Sequence, residues 1–116
     1  AARTLALAGA EVIAHPSNLV RKKCWQVMPA RAIENKVFTF TADRMGEDPR
    51  PGREPLRFPG QSQGLDPDGE ELFRLKPGEE RLVVAEIDSA RARDKRLNPH
   101  NDLFGDRRPE QYKNRP

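Results

Sequence analysis

One cysteine, Cys24, and two histidines, His15 and His100, are the only thiol and imidazoles in this 116-residue sequence. A single thiol cannot close an internal disulfide, which suits a reducing compartment. The two histidines are far apart, each flanked by proline, with no second His or Cys at ligand spacing, so neither a metal site nor a cofactor is expected. No apolar run approaches the ~20 residues of a membrane span, and no basic-then-apolar leader is present, so the chain reads as soluble and cytoplasmic with no membrane partner. Glycine-rich phosphate loops and the serine-hydrolase elbow are also missing. Aromatics make up only 6 % of the residues. None interleaves the basic runs Arg21-Lys22-Lys23 and Arg91 to Arg96, as stacking on nucleic-acid bases requires.

What is present is charge and short apolar runs. Charged residues reach 34 % and hydrophobic ones 35 %, enough of the latter for a packed core rather than a disordered chain. Residues 1–116 are read as at most one domain. The net charge of +3 is unevenly placed: residues 89–116 carry eight Arg or Lys against four acids. Because acids are interleaved, a solvated or intersubunit surface is the preferred reading over a nucleic-acid face. The sequence begins without Met and already inside a helical composition, Ala2-Arg3-Thr4-Leu5-Ala6-Leu7-Ala8, and is therefore read as a fragment.

The pattern along the chain predicts a helix over 2–9 stopped by Gly9, then a buried strand at Glu11-Val12-Ile13-Ala14 that His15-Pro16-Ser17-Asn18 breaks. A second helix is expected from about Lys22 to Asn35, with Trp25, Met28, Ala32 and Ile33 as its apolar stripe. Pro29 either kinks it or marks where it becomes regular. A strand follows at 37–42. Residues 46–60, rich in Pro, Gly and charge, read as a surface loop. Asp66-Pro67-Asp68-Gly69 joins Gln61–Leu65 to Glu71–Leu75 as a β-hairpin rather than a calcium loop, since its glycine falls fourth instead of sixth. Residues 82–87 read as a buried strand. Ser89 is expected to cap a helix of about eight residues whose closing Arg93, Lys95 and Arg96 complement its dipole. An irregular, extended tail, 98–116, completes the chain.

Three features bear on chemistry. Cys24 lies inside the expected second helix beside Trp25, with no motif of a nucleophile around it, and is read as a packing residue. Arg31 and Glu34, at i and i+3, suit a surface pair. Ser17, Asn18 and Leu19 follow the carboxyl end of a buried strand, where α/β folds bind ligands. Asn18 can donate and accept, which fits an amide or carboxylate; equally, Ser17 and Asn18 could simply stabilise the turn.

Seven pieces in register give the chain a resemblance. They are Ala2-Arg3 with Ala8-Gly9-Ala10, the loop His15–Val20, Ala30–Asn35, Thr41-Ala42-Asp43-Arg44-Met45-Gly46-Glu47, Gly60-Gln61-Ser62, Asp66-Pro67-Asp68-Gly69 and Glu86-Ile87-Asp88. Together they resemble the C-terminal part of the nitrilase, or carbon–nitrogen hydrolase, superfamily. The resemblance implies an α/β (α+β) fold: part of an α/β/β/α sandwich lacking its N-terminal half. It implies hydrolysis of amides or carbamoyl groups, less readily nitriles, by a Glu base, a Lys and a Cys nucleophile. None of those three maps onto this sequence, so the triad is expected upstream of Ala1 and the isolated chain inactive. Ser17, Asn18 and Leu19 correspond to a loop bordering the substrate pocket. Helices 2–9 and 22–35 correspond to a homo-oligomer interface, and the tail to a segment reaching a neighbouring subunit. The sequence departs from the family pattern at Arg21-Lys22-Lys23, where an apolar residue and a proline are common. Two other readings stay open, a non-catalytic self-association module and a basic nucleic-acid-binding domain.

Overall fold

The computed structural model describes residues 1–21 and 23–112, without the side chain of Cys24. Helix α1 (Ala2–Leu7) leads into strand β1 (Val12–Ser17), and a 3-10 turn (Cys24–Gln26) runs into helix α2 (Val27–Asn35). Strands β2 (Phe38–Asp43), β3 (Met45–Arg50), β4 (Arg53–Pro59), β5 (Gln63–Leu65) and β6 (Glu71–Arg74) follow. A 3-10 turn (Ser89–Ala92), the short pair β7 (Arg96–Asn98) and β8 (Asn101–Asp102), and a 3-10 turn (Pro109–Tyr112) close the described chain. The fold class is mixed α/β, as expected.

The main sheet has the order β1-β2-β5-β6. β1 and β2 are parallel, with Val12 opposite Phe38 and Ser17 opposite Asp43; β5 and β6 add antiparallel. A parallel pair needs a crossover, and α2 supplies it. Helix α1 stops as predicted: Gly9 takes φ 94°, and the N–H groups of Gly9 and Ala10 donate to Ala6 and Leu5. These are the two bonds of a Schellman cap.

Two expectations about β1 fail. The strand does not break at His15 but runs through Pro16 to Ser17. The carbonyls of Glu11 and Ser17 accept from Phe38 and Arg44 of the β2 side. Alternation then turns the nitrogen of Pro16 to the free edge, where a missing N–H costs nothing. Nor is β1 buried, for its residues alternate between exposed and half-exposed. In α2, Pro29 lies in the first turn, where its lacking N–H has no helical partner to lose, so no kink forms. Before that turn the expected helix is only the 3-10 turn Cys24–Gln26, and Lys22 lies outside the described residues.

The core sits between α2 and the sheet, where Met28, Ala32 and Leu65 cluster. Ile33 of the expected stripe is 48 % exposed, while Asn35 is fully buried, its Nδ2 donating to the Arg31 carbonyl at 2.8 Å. The opposite sheet face carries Val12, Ala14, Phe38, Phe40 and Phe73. Phe40 and Phe73 stack with centroids 6.2 Å apart over Gly64. On this face Phe38 is fully buried, with the Arg91 guanidinium 5.9 Å from its ring centroid, while Val12 is exposed.

The stretch 46–60 is not a loop but the ribbon β3–β4, turned at Pro51-Gly52 with Gly52 at φ 69°. Both strands of a two-stranded ribbon have a free edge, which accommodates the prolines that suggested a loop. Residues 82–87 form no strand either. Leu82 and Val84 are 89 % and 87 % exposed, and no strand of the described residues pairs with them. Their apolar, β-branched composition is that of a strand without its neighbours. The expected eight-residue helix is a four-residue 3-10 turn, capped by Asp88, whose side chain accepts from the Ala90 N–H, rather than by Ser89. Between Asn98 and Tyr112 the chain is mostly turns, with the two-residue β8 pairing with β7 and the Asp102 carboxylate accepting from Phe104 and Gly105.

Candidate functional site

Because β1 and β2 are parallel, their carboxyl ends open on the same side, and the loop Ser17–Val20 leaves from that end. Three hydrogen bonds hold it. The Arg44 N–H donates to the Ser17 carbonyl at 2.9 Å, continuing the ladder one step past Asp43. The Leu19 N–H donates to Asp43 Oδ1 at 2.8 Å. The Asp43 N–H in turn donates to Ser62 Oγ at 3.0 Å, which ties the end of β2 to the approach to β5. Ser17 and Leu19 are half-buried; Asn18 and Val20 are exposed. Ser17, Asn18 and Leu19 thus sit together at one sheet corner, with the Asn18 amide unengaged among the described residues. Asp43 and Ser62 join this corner and were not read from sequence as part of it. The register of β1 against β2 brings Asp43 there, and the pairing of β5 with β2 brings Ser62.

A cleft of about 470 Å³ opens between α1, β1 and α2, lined among others by Leu5, Ile13, His15, Met28 and Arg31. It includes none of Ser17, Asn18 and Leu19. His15 Nδ1 lies 3.2 Å from Thr41 Oγ1, and no cluster of metal-ligating side chains occurs among the described residues. Arg31 and Glu34 form the expected pair, Nη1 to Oε1 at 2.7 Å. The Cys24 side chain, read as packing, lies outside the described residues.

The other charged features belong to the framework. In the turn Asp66–Gly69, Asp66 Oδ1 accepts from the N–H groups of Asp68 and Glu70 at 2.9 and 3.0 Å. Its Oδ2 accepts from Arg91 at 2.6 Å. Burial alone would raise the Asp66 carboxyl, but Arg91 and the two N–H donors outweigh it and hold it below the ordinary carboxylate range. Arg93 pairs with Glu11 and Arg96 with Asp94. Lys95 Nζ donates to the carbonyls of Asn35 and Lys36 at 2.9 and 2.8 Å, closing the C-terminus of α2 rather than that of its own turn. Burial pushes the Lys95 ammonium below the ordinary lysine range. All four cations of the run 91–96 are therefore engaged within the chain.

The carbon-nitrogen hydrolase family profile matches residues 1–97, which is most of the chain. The chain belongs to the carbon–nitrogen hydrolase family. It is 51 % identical over 111 residues to a nitrilase from Pyrococcus abyssi, covering 96 % of this chain and 40 % of that relative. The crystal structure of a carbon-nitrogen hydrolase from Helicobacter pylori G27 superposes with a TM-score of 0.77 at 26 % identity, over 96 % of this chain and 42 % of the other. A mutant of the amidase from Nesterenkonia sp. AN1, bearing the acetamide moiety of fluoroacetamide at its active-site cysteine, superposes with a TM-score of 0.68 at 28 % identity. That match covers 97 % of this chain and 38 % of the amidase. This carbon–nitrogen hydrolase chain thus spans about two fifths of the length of the relatives it matches. No helix among its described residues is long and apolar enough to cross a membrane.

Proposed function

We propose that this chain is the part of an amide-hydrolysing carbon–nitrogen hydrolase that borders the substrate pocket without carrying the catalytic groups. Its family membership over residues 1–97, joined to its coverage of only 40 % of the P. abyssi relative, carries this reading. Glu, Lys and Cys come from polypeptide outside the chain; the thiolate attacks the substrate carbonyl, the oxyanion is stabilised, amine or ammonia leaves, and water releases the acid. Ser17, Asn18 and Leu19 line one edge of the pocket, where the free Asn18 amide meets the carbonyl or amide of the substrate. Amide chemistry is preferred to nitrile chemistry because one similar structure is an amidase holding an acetamide moiety on cysteine. The chain alone does not turn over.

The test is ammonia release from acetamide and from acetonitrile by the protein expressed from the whole surrounding reading frame, beside the 116-residue chain. Activity on the amide by the former only is expected. Activity of the chain alone, or its abolition by Cys24→Ala without unfolding, would overturn the assignment.

A second proposal is self-association through α1 and α2. Leu5, Leu7, Val27 and Ile33 there are each 42–48 % exposed, apolar surface that a second copy would cover. Sedimentation should find a dimer, and Leu5→Glu should return it to monomer. The nucleic-acid alternative is disfavoured, because Arg91, Arg93, Lys95 and Arg96 are already engaged by carboxylates and carbonyls.

A further inference from the structure

We infer that Asp43 is a positioning residue that sets the shape of the Ser17–Val20 loop and so fixes where Asn18 is presented. The functional half of this inference rests on the proposed reading of the loop as a pocket edge.

The two sides of the loop are secured differently. Its start is held by main chain, the Arg44 N–H on the Ser17 carbonyl. Past Asn18, the described residues offer a single hold, the Leu19 N–H on Asp43 Oδ1. Asp43 is itself fixed from two directions, by its parallel pairing opposite Ser17 and by its own N–H on Ser62 Oγ. A carboxylate pinned by the sheet therefore dictates where the main chain passes two residues beyond the strand end, leaving Asn18 outward between two anchors.

The other carboxylate oxygen supports a dedicated role. Asp43 Oδ2 is buried and has no hydrogen-bond partner among the described residues. A residue chosen only to fill this corner would avoid such an oxygen, whose desolvation is uncompensated. Ser62 and Thr41 nearby show that small hydroxyl residues fit this sheet end. An Asp there is explained by the reach that the Leu19 amide needs.

The decisive measurement is amide hydrogen exchange at Leu19 in the 116-residue chain, with Thr41 in the middle of β2 as internal reference. In Asp43→Ala, Leu19 should exchange about tenfold to a hundredfold faster while Thr41 is unchanged. Asp43→Asn keeps an oxygen at Oδ1 and should restore most of the protection. Should the alanine variant not fold, Asp43→Ser keeps a polar group but cannot reach Leu19, and the same acceleration is expected. Leu19 exchange unchanged in a folded Ala or Ser variant would overturn the inference. In the active protein of the whole reading frame, Asp43→Ala should raise KM for the amide about tenfold with kcat per folded enzyme nearly constant, and Asp43→Asn should reverse it. Faster Leu19 exchange with KM unmoved would leave the clamp standing and remove the loop from the pocket.

Discussion

Asp66 offers the sharpest test of how the turn and the segment after it are held together. Its side chain is 9 % exposed and accepts three hydrogen bonds, two from the turn's own N–H groups and one from Arg91 across the chain. Asp66→Ala removes both acceptor oxygens and so all three bonds, yet the main-chain bond from the Gly69 N–H to the Asp66 carbonyl survives. Bonds to charged groups are worth about 1.5–3 kcal/mol each and are not additive within one network, so a loss of about 2–4 kcal/mol is expected. Asp66→Asn keeps an acceptor for the turn but loses the charge facing Arg91, and should cost about half as much. The pH dependence has a definite sign. Folding lowers the Asp66 pKa, so its contribution is complete above the unfolded value of about 4 and is lost as pH falls through the folded one. Urea unfolding followed by Trp25 fluorescence at pH 7 and pH 3 measures both effects. The Asn variant should be less stable at pH 7 and should lose less on acidification than the parent. Equal stability at pH 7 with an equal acid loss would refute the latch.

Three further predictions concern Gly64, Lys95 and the pair Leu82 and Val84. A Cβ on Gly64 would lie 2.5 Å from Phe73 Cε1 and 2.9 Å from Phe40 Cε1, so Gly64→Ala should cost about 1–3 kcal/mol by overpacking, read from thermal melts. Lys95→Met removes the donor to both carbonyls at the end of α2 and should cost about 1–2 kcal/mol in urea titrations. The double change Leu82→Ser and Val84→Ser should alter the stability of this chain by less than about 0.5 kcal/mol, since both side chains are almost wholly exposed. In the active protein of the whole reading frame the same pair should be markedly destabilising, and an equal effect in both settings would count against a covering strand.

What could be read from sequence was what neighbours in sequence decide. Gly9 ends α1, the β-branched and aromatic run 37–42 forms β2, and Asp66-Pro67-Asp68-Gly69 turns a hairpin, because each depends on a few adjacent residues. Prolines at 49, 51, 55 and 59 concealed the β3–β4 ribbon, as nothing in the sequence reveals that both its strands lie at an edge. Residues 82–87 were recognised as strand-like, but a strand is defined by its partner, and none is among the described residues. At the candidate site, Ser17 to Leu19 were legible from their place after an apolar run. Asp43 was not, for its importance arises only when β2 aligns with β1 and sets it opposite Ser17.

The central claim is that this chain completes a hydrolase whose catalytic groups lie outside it. A chimera tests it most directly, with this chain replacing the matching 111 residues of the Pyrococcus abyssi nitrilase, assayed on that nitrilase's own substrate. The account predicts turnover by the chimera and none by the chain alone. A folded chimera without activity, or turnover by the chain alone, would contradict it.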